Sequence, residues 1–196
     1  MARPVQTRSR KTRAALIDAA AALVQAQGYE ALRIEEVVAG AGVAKGTFFA
    51  HFTDKDGILT ELMGAELDRR LDQMARAPAP VTPRDVAVAM TPVIDYLATE
   101  RTVFDIVMRY SGGMGPSGNP VIAECITRQV TILAGWIAAG AAAGHLRDDQ
   151  DPALLAEGVQ AFVAQVVALH FCTEDGSRRR PAEEIVPFLD AWLGVR

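Results

Sequence analysis

Aromatic residues make up only 6% of this 196-residue chain, and cysteine occurs twice. Few aromatics alongside abundant Ala, Leu and Val argue against a β-sandwich and for helices. Cys125 and Cys172 stand alone, with no CxxC pair and no histidine at metal-ligand spacing. A disulfide framework and a zinc site are therefore not expected, and both thiols read as free and mostly buried. No set of Ser, His and Asp and no pair of carboxylates falls at a spacing that suggests catalysis, so an enzyme is not expected, nor any cofactor or metal. Long apolar runs are also missing. The longest nearly uncharged stretch, Gln129 to Gly144, is shorter than the roughly 20 residues a bilayer-spanning helix needs and reads as a buried helix. The N-terminus lacks the apolar core of a signal peptide, which places the expected location in the cytoplasm, away from membranes.

What is present is a half-hydrophobic chain, long enough for one or two domains with adequate cores. Its net charge of −4 hides an asymmetry. Residues 1–55 hold eight Lys or Arg against five Asp or Glu, whereas residues 56–196 hold twelve against nineteen. The first thirteen residues, "MARPVQTRSRKTR", carry five bases and no acid. By charge alone such an arm is either a solvated tail or a polyanion-binding segment. Its position favours the second, because it leads directly into the stretch described next.

Residues 43–55 read "VAKGTFFAHFTDK", mixing three phenylalanines with two lysines and a histidine. Helical spacing predicts a first helix from about Arg10 to Gln27, stopped at Gly28, and a short second one over Ile34 to Ala41. A third runs from Ala44 or Lys45 to about Phe52. The fourth, capped by Thr53 or Asp54, extends to about Arg76. Two short helices joined by a tight turn at "AGAGV" (39–43) form the helix-turn-helix pattern, whose second helix enters the major groove of DNA. On that reading Val37, Val38, Val43, Phe48 and Phe52 hold the helices together. Lys45, Thr47, Phe49 and His51 face outward. Gly46 lets the backbone approach a phosphate, and Lys55 adds a charge beside helix amides that favour an anion.

Beyond the proline-rich "APAPVTP" (77–83), helices are expected at about 83–99, 102–110, 121–143 and 152–172, with a last one after Pro181. The fold class is all-α, about nine helices. The N-terminal domain, 1–55, is homeodomain-like with the helix-turn-helix at 33–52, and residues 56–196 form a second helical domain. In that second domain Phe104, Met108, Tyr110, Trp136, His170 and Phe171 are candidates to line a ligand cavity, with Arg109 offering a cation. A stripe of Phe162, Val166, His170, Ile185, Phe188, Leu189 and Trp192 is broader than one chain's core requires. It predicts a four-helix interface between two copies.

The stretch "GYEALRIEEVVAGAGVAKGTFFAHFTDKDGIL" (28–59) resembles the N-terminal domain of the TetR/AcrR transcriptional repressors, in register without gaps over residues 10–62. A looser likeness covers "GHLRDDQDPALLAEGVQAF" (144–162). The resemblance implies an all-helical homodimer that binds a palindromic operator through its N-terminal domain and a small effector through its C-terminal domain. By position it implies Lys45, Gly46, Thr47, Phe49, His51 and Lys55 as contacts to double-stranded DNA. The sequence departs from the family pattern at Leu32 and Arg33, where Thr or Ser is usual. There Arg33 supplies a charged phosphate contact but no helix cap. The alternatives are a helical small-molecule carrier or enzyme that retains the domain, and a regulator controlled by protein contact without a ligand.

Overall fold

A computed structural model describes residues 4–112, 120–172 and 180–195, with side chains from Arg8 onward. The first helix, α1 (Pro4–Gln27), starts before the expected Arg10. Proline suits a first turn, where an amide has no helical partner to lose. Gly28 ends α1 with φ +84°, the left-handed value a side chain would oppose. The next elements are α2 (Ile34–Gly40) and α3 (Lys45–Phe49), joined by a turn in which Gly42 takes φ +65°. α3 is shorter than expected because its end tightens, the His51 amide turning back three residues onto the Phe48 carbonyl. α4 (Lys55–Arg76) is capped by Asp54, which accepts from the Gly57 amide at 2.8 Å.

One core unites these four helices. Leu16 and Ala20 of α1, Val37 and Val38 of α2, Phe48 of α3 and Ile58 and Leu59 of α4 are all buried. Phe48 and Phe52 sit with ring centroids 5.4 Å apart, and the Arg13 guanidinium covers Phe52 from α1. Burying each such ring contributes about 1.5–3 kcal/mol.

The remaining elements are α5 (Pro83–Leu97), α6 (Arg101–Tyr110), α7 (Val121–Ala142), α8 (Pro152–Cys172), α9 (Pro181–Glu184) and α10 (Val186–Leu193). Thr82 and Asp85 make a reciprocal capping box at the start of α5, which holds the Asp85 carboxyl below its usual range. The described residues thus hold ten helical segments and no strand. The tenth arises because the last expected helix breaks at Ile185, just before Pro187, which has no amide for the Glu183 carbonyl. Most of the two stretches left between the expected helices, 111–120 and 173–180, lies outside the described residues.

α7 packs along α4. Val121 fills the space left by Gly64, and the Cys125 thiol lies 3.5 Å from the Gly64 carbonyl. Burial, with the Asp68 carboxylate nearby, pushes that thiol up to about 12. Cys172, expected to be buried, is exposed. Arg128 reaches both Asp68 and Asp72, and its bond holds the Asp72 carboxyl below its usual range. By length and composition α7 and α8 are each apolar enough to cross a bilayer, which corrects the estimate made from Gln129–Gly144 alone. α7 begins eight residues earlier, at Val121. Here the two helices pack on each other, with a part-buried Gln129–Gln160 hydrogen bond of 2.8 Å between them.

Candidate nucleic-acid interface

α3 is held from behind and open in front. Phe48 is fully buried, while its neighbour Phe49 is 49% exposed, because consecutive helical residues point about 100° apart. Lys45 and Gly46 are exposed beside Phe49, and Thr47 and His51 are half-buried at the rim. A Cβ placed on Gly46 would meet nothing within 4 Å, so the backbone there is open to a close approach. Lys55, in the first turn of α4, donates to the Glu30 carbonyl at 2.9 Å. Arg33 is exposed at the start of α2 and makes no side-chain cap, as its chemistry predicts. This surface therefore presents amine donors, an aromatic face and bare backbone, and α3 itself carries no acid.

Two acids border it. Glu35 pairs with Lys45 at 2.6 Å, and that bond holds the Glu35 carboxyl below its usual range. Glu36 accepts from Gln27 at 2.9 Å. Sequence spacing gave no sign of the Lys45–Glu35 pair, since its members are ten residues apart across a turn. Arg13 of α1 pairs with Glu61 of α4 at 2.7 Å, so one base of the N-terminal arm is used inside the fold.

The expected ligand residues divide. Phe104 and Phe171 come together with centroids 6.0 Å apart, and His170 lies 5.3 Å from Phe171. Met108 is half-buried and Trp136 buried. Arg109 is instead engaged by Asp56 at 2.6 Å.

The expected interface stripe divides too. Val166, Ile185 and Leu189 lie in the chain's own core, at most 1% exposed, and present no surface to a second copy. Phe162, Phe188 and Trp192 form an accessible aromatic cluster, with Phe162 stacked 5.4 Å from Phe188 and edge-on 5.8 Å from Trp192. Pro187 and Ala191 complete an open groove of about 260 Å³ there. Trp192 is fixed by its indole N–H donating to the Leu155 carbonyl at 2.9 Å, over a gap that Gly158 leaves free. His170 packs on Phe171 instead of joining this cluster.

Among the described residues, no group of three or more His, Cys, Asp or Glu is arranged to hold a metal ion.

Residues 16–62 match the family described as bacterial regulatory proteins, tetR family. A helix-turn-helix-type transcriptional regulator of Haemophilus influenzae is 28% identical over 130 residues, which is 65% of this chain. The match spans 63% of that relative's length. Among solved structures, the transcriptional regulator FadR of Bacillus subtilis in complex with stearoyl-CoA superposes with a TM-score of 0.62 at 20% identity, over 89% of this chain and 96% of that one. SmeT, the repressor of the Stenotrophomonas maltophilia multidrug efflux pump SmeDEF, gives 0.63 at 19% identity, over 94% and 92%. These two likenesses concern the fold. The helix-turn-helix core, residues 16–62, is thus the part of this chain that matches the tetR family of bacterial regulatory proteins.

Proposed function

We propose that the protein is a cytoplasmic, homodimeric transcriptional repressor. It binds a palindromic operator through α3 and is released by a small-molecule effector; it is a regulator and not an enzyme. One observation carries the reading: α3 is anchored by buried Phe48 and Phe52 while Lys45, Gly46, Thr47, Phe49 and His51 line its open side. Thr47 reaches a base edge or phosphate, Phe49 and His51 pack on the sugar-phosphate backbone, and Lys55 and Arg33 contact phosphates. A five-residue recognition helix binds weakly alone. Two copies about 34–36 Å apart match successive major grooves of a palindrome. The aromatic cluster of Phe162, Phe188 and Trp192 supplies the surface that pairs the copies.

Residues 1–55 then act as the DNA-binding domain, and residues 56–196 as the effector and dimerisation domain. The FadR complex with stearoyl-CoA and the efflux-pump repressor SmeT support a ligand-responsive repressor. In this chain Phe104, Met108, Trp136, His170 and Phe171 are the residues assigned to an apolar effector, with Arg109 available to an anionic group once it leaves Asp56. By linkage, an effector that weakens DNA binding is itself bound more weakly on DNA, by a coupling of about 1–3 kcal/mol.

The test is a gel shift with the DNA upstream of the protein's own gene, at two salt concentrations. A discrete shifted band that weakens at the higher salt is expected. No band at either concentration sinks the DNA-binding reading. A thermal-shift screen with apolar and anionic metabolites then tests the effector.

A further inference from the structure

Resting on the DNA-binding reading, we infer that Glu100 is a positioning residue for the Lys55–phosphate contact. It acts through the backbone of Tyr29 and Glu30, while Arg109 pairs with Asp56, the acid next to that lysine in the chain.

Glu100 stands at the start of α6, where a short side chain would cap the helix, yet it makes no such cap. Its carboxylate reaches instead into the turn after α1. It accepts from the Tyr29 amide at 3.1 and 3.0 Å and from the Glu30 amide at 3.1 Å. Gly28 makes room for this reach, since a Cβ there would lie 2.9 Å from a Glu100 oxygen. Glu30, oriented through its amide, presents its carbonyl to the Lys55 ammonium at 2.9 Å. A lysine is a point charge on a four-carbon stem, and a fixed acceptor limits the positions that charge takes before it meets a phosphate.

The opposite end of α6 reaches the residue next to Lys55. Asp56 follows Lys55 in the chain and takes the Arg109 guanidinium at 2.6 Å, with the Tyr110 hydroxyl at 3.5 Å. Arg109 thereby offsets an acid that would otherwise stand uncompensated beside the phosphate-binding lysine. The turn has a second fastening that does not involve Glu100: the Tyr29 and Tyr96 hydroxyls are 2.9 Å apart in the interior. Loss of one Glu100 bond therefore leaves the fold held while loosening the Glu30 carbonyl.

The experiment is fluorescence anisotropy of the full chain with a labelled random-sequence duplex across a series of KCl concentrations. The proteins are the wild type, Lys55→Ala, Glu100→Gln and the double variant, with thermal melts alongside. Gln keeps one acceptor oxygen where Glu has two. Glu100→Gln is expected to weaken binding about threefold or more and to flatten the salt dependence in the direction of Lys55→Ala. In the Lys55→Ala background it should change nothing further. Equal losses in both backgrounds, or no loss with an unchanged melt, overturn the inference and leave the DNA-binding reading standing. A wild type that fails to bind the duplex at low salt overturns both. If Glu100→Gln melts early, Glu100→Asp, whose shorter carboxylate favours capping α6 over reaching the Tyr29 and Glu30 amides, carries the same comparison. Additivity of that variant with Lys55→Ala overturns the inference equally.

Discussion

Two exposed aromatic surfaces, one near each end of the sequence, differ in their surroundings. Phe49 is 49% exposed and Phe188 41%, so both rings offer similar apolar area. Around Phe49 stand Lys45, His51, bare Gly46 backbone and, at the next helix, Lys55. Phe188 is bordered by Phe162, Pro187, Ala191 and Trp192, none of them charged. An aromatic ring among amines suits a polyanion with flat sugar and base faces, and one among other apolar groups suits a matching apolar patch. Similar exposure thus points to two kinds of partner, and the neighbours make the distinction.

The sharpest way to break this comparison uses adjacent residues. Phe48→Ala should cost about 3–5 kcal/mol of stability, because it empties a fully buried site in the core. Phe49→Ala should cost less than about 1 kcal/mol and yet weaken duplex binding. Urea melts and anisotropy on the same samples check both, and a large melt shift for Phe49→Ala would mean that ring is structural. Next in size is Phe188→Asp. A charge buried without a partner opposes association, so the variant should sediment as a monomer with its secondary structure retained. It should also lose operator affinity while keeping most of its binding to random duplex. An unchanged sedimentation coefficient would remove the aromatic cluster from the proposed interface. The smallest effect is expected from Glu35→Gln, which frees Lys45 and removes an acid at the edge of the surface. Binding to random duplex should tighten about two- to threefold at low salt. Weaker binding would instead show that Glu35 serves by holding Lys45 in place.

The helix-turn-helix was legible because its signals are local. Phe48 and Phe52 fall one helical turn apart, Phe49 falls off their face, and Gly28 and Gly42 mark where the backbone turns left-handed. The second half was less legible. α8 is apolar nearly all round, so periodicity does not say which stripe faces its own chain. Val166 was expected on the outside and lies in the core, as do Ile185 and Leu189. His170 was assigned to both a ligand site and an interface, and the structure sets it edge-on against Phe171. The ion pairs that border the proposed DNA surface were invisible for another reason. Glu35 and Lys45, or Asp56 and Arg109, carry no mark that tells a paired charge from a solvated one.

By itself, then, the order of residues determined most of the helices, the stop of α1 at Gly28 and the residues that back α3, because each depends on neighbours within a turn or two of the chain. Only the tertiary structure decided which faces of α8 and α10 remain open and where Lys55 is held. Those outcomes depend on groups such as Tyr29 and Glu100, 71 residues apart, which meet only when the helices pack.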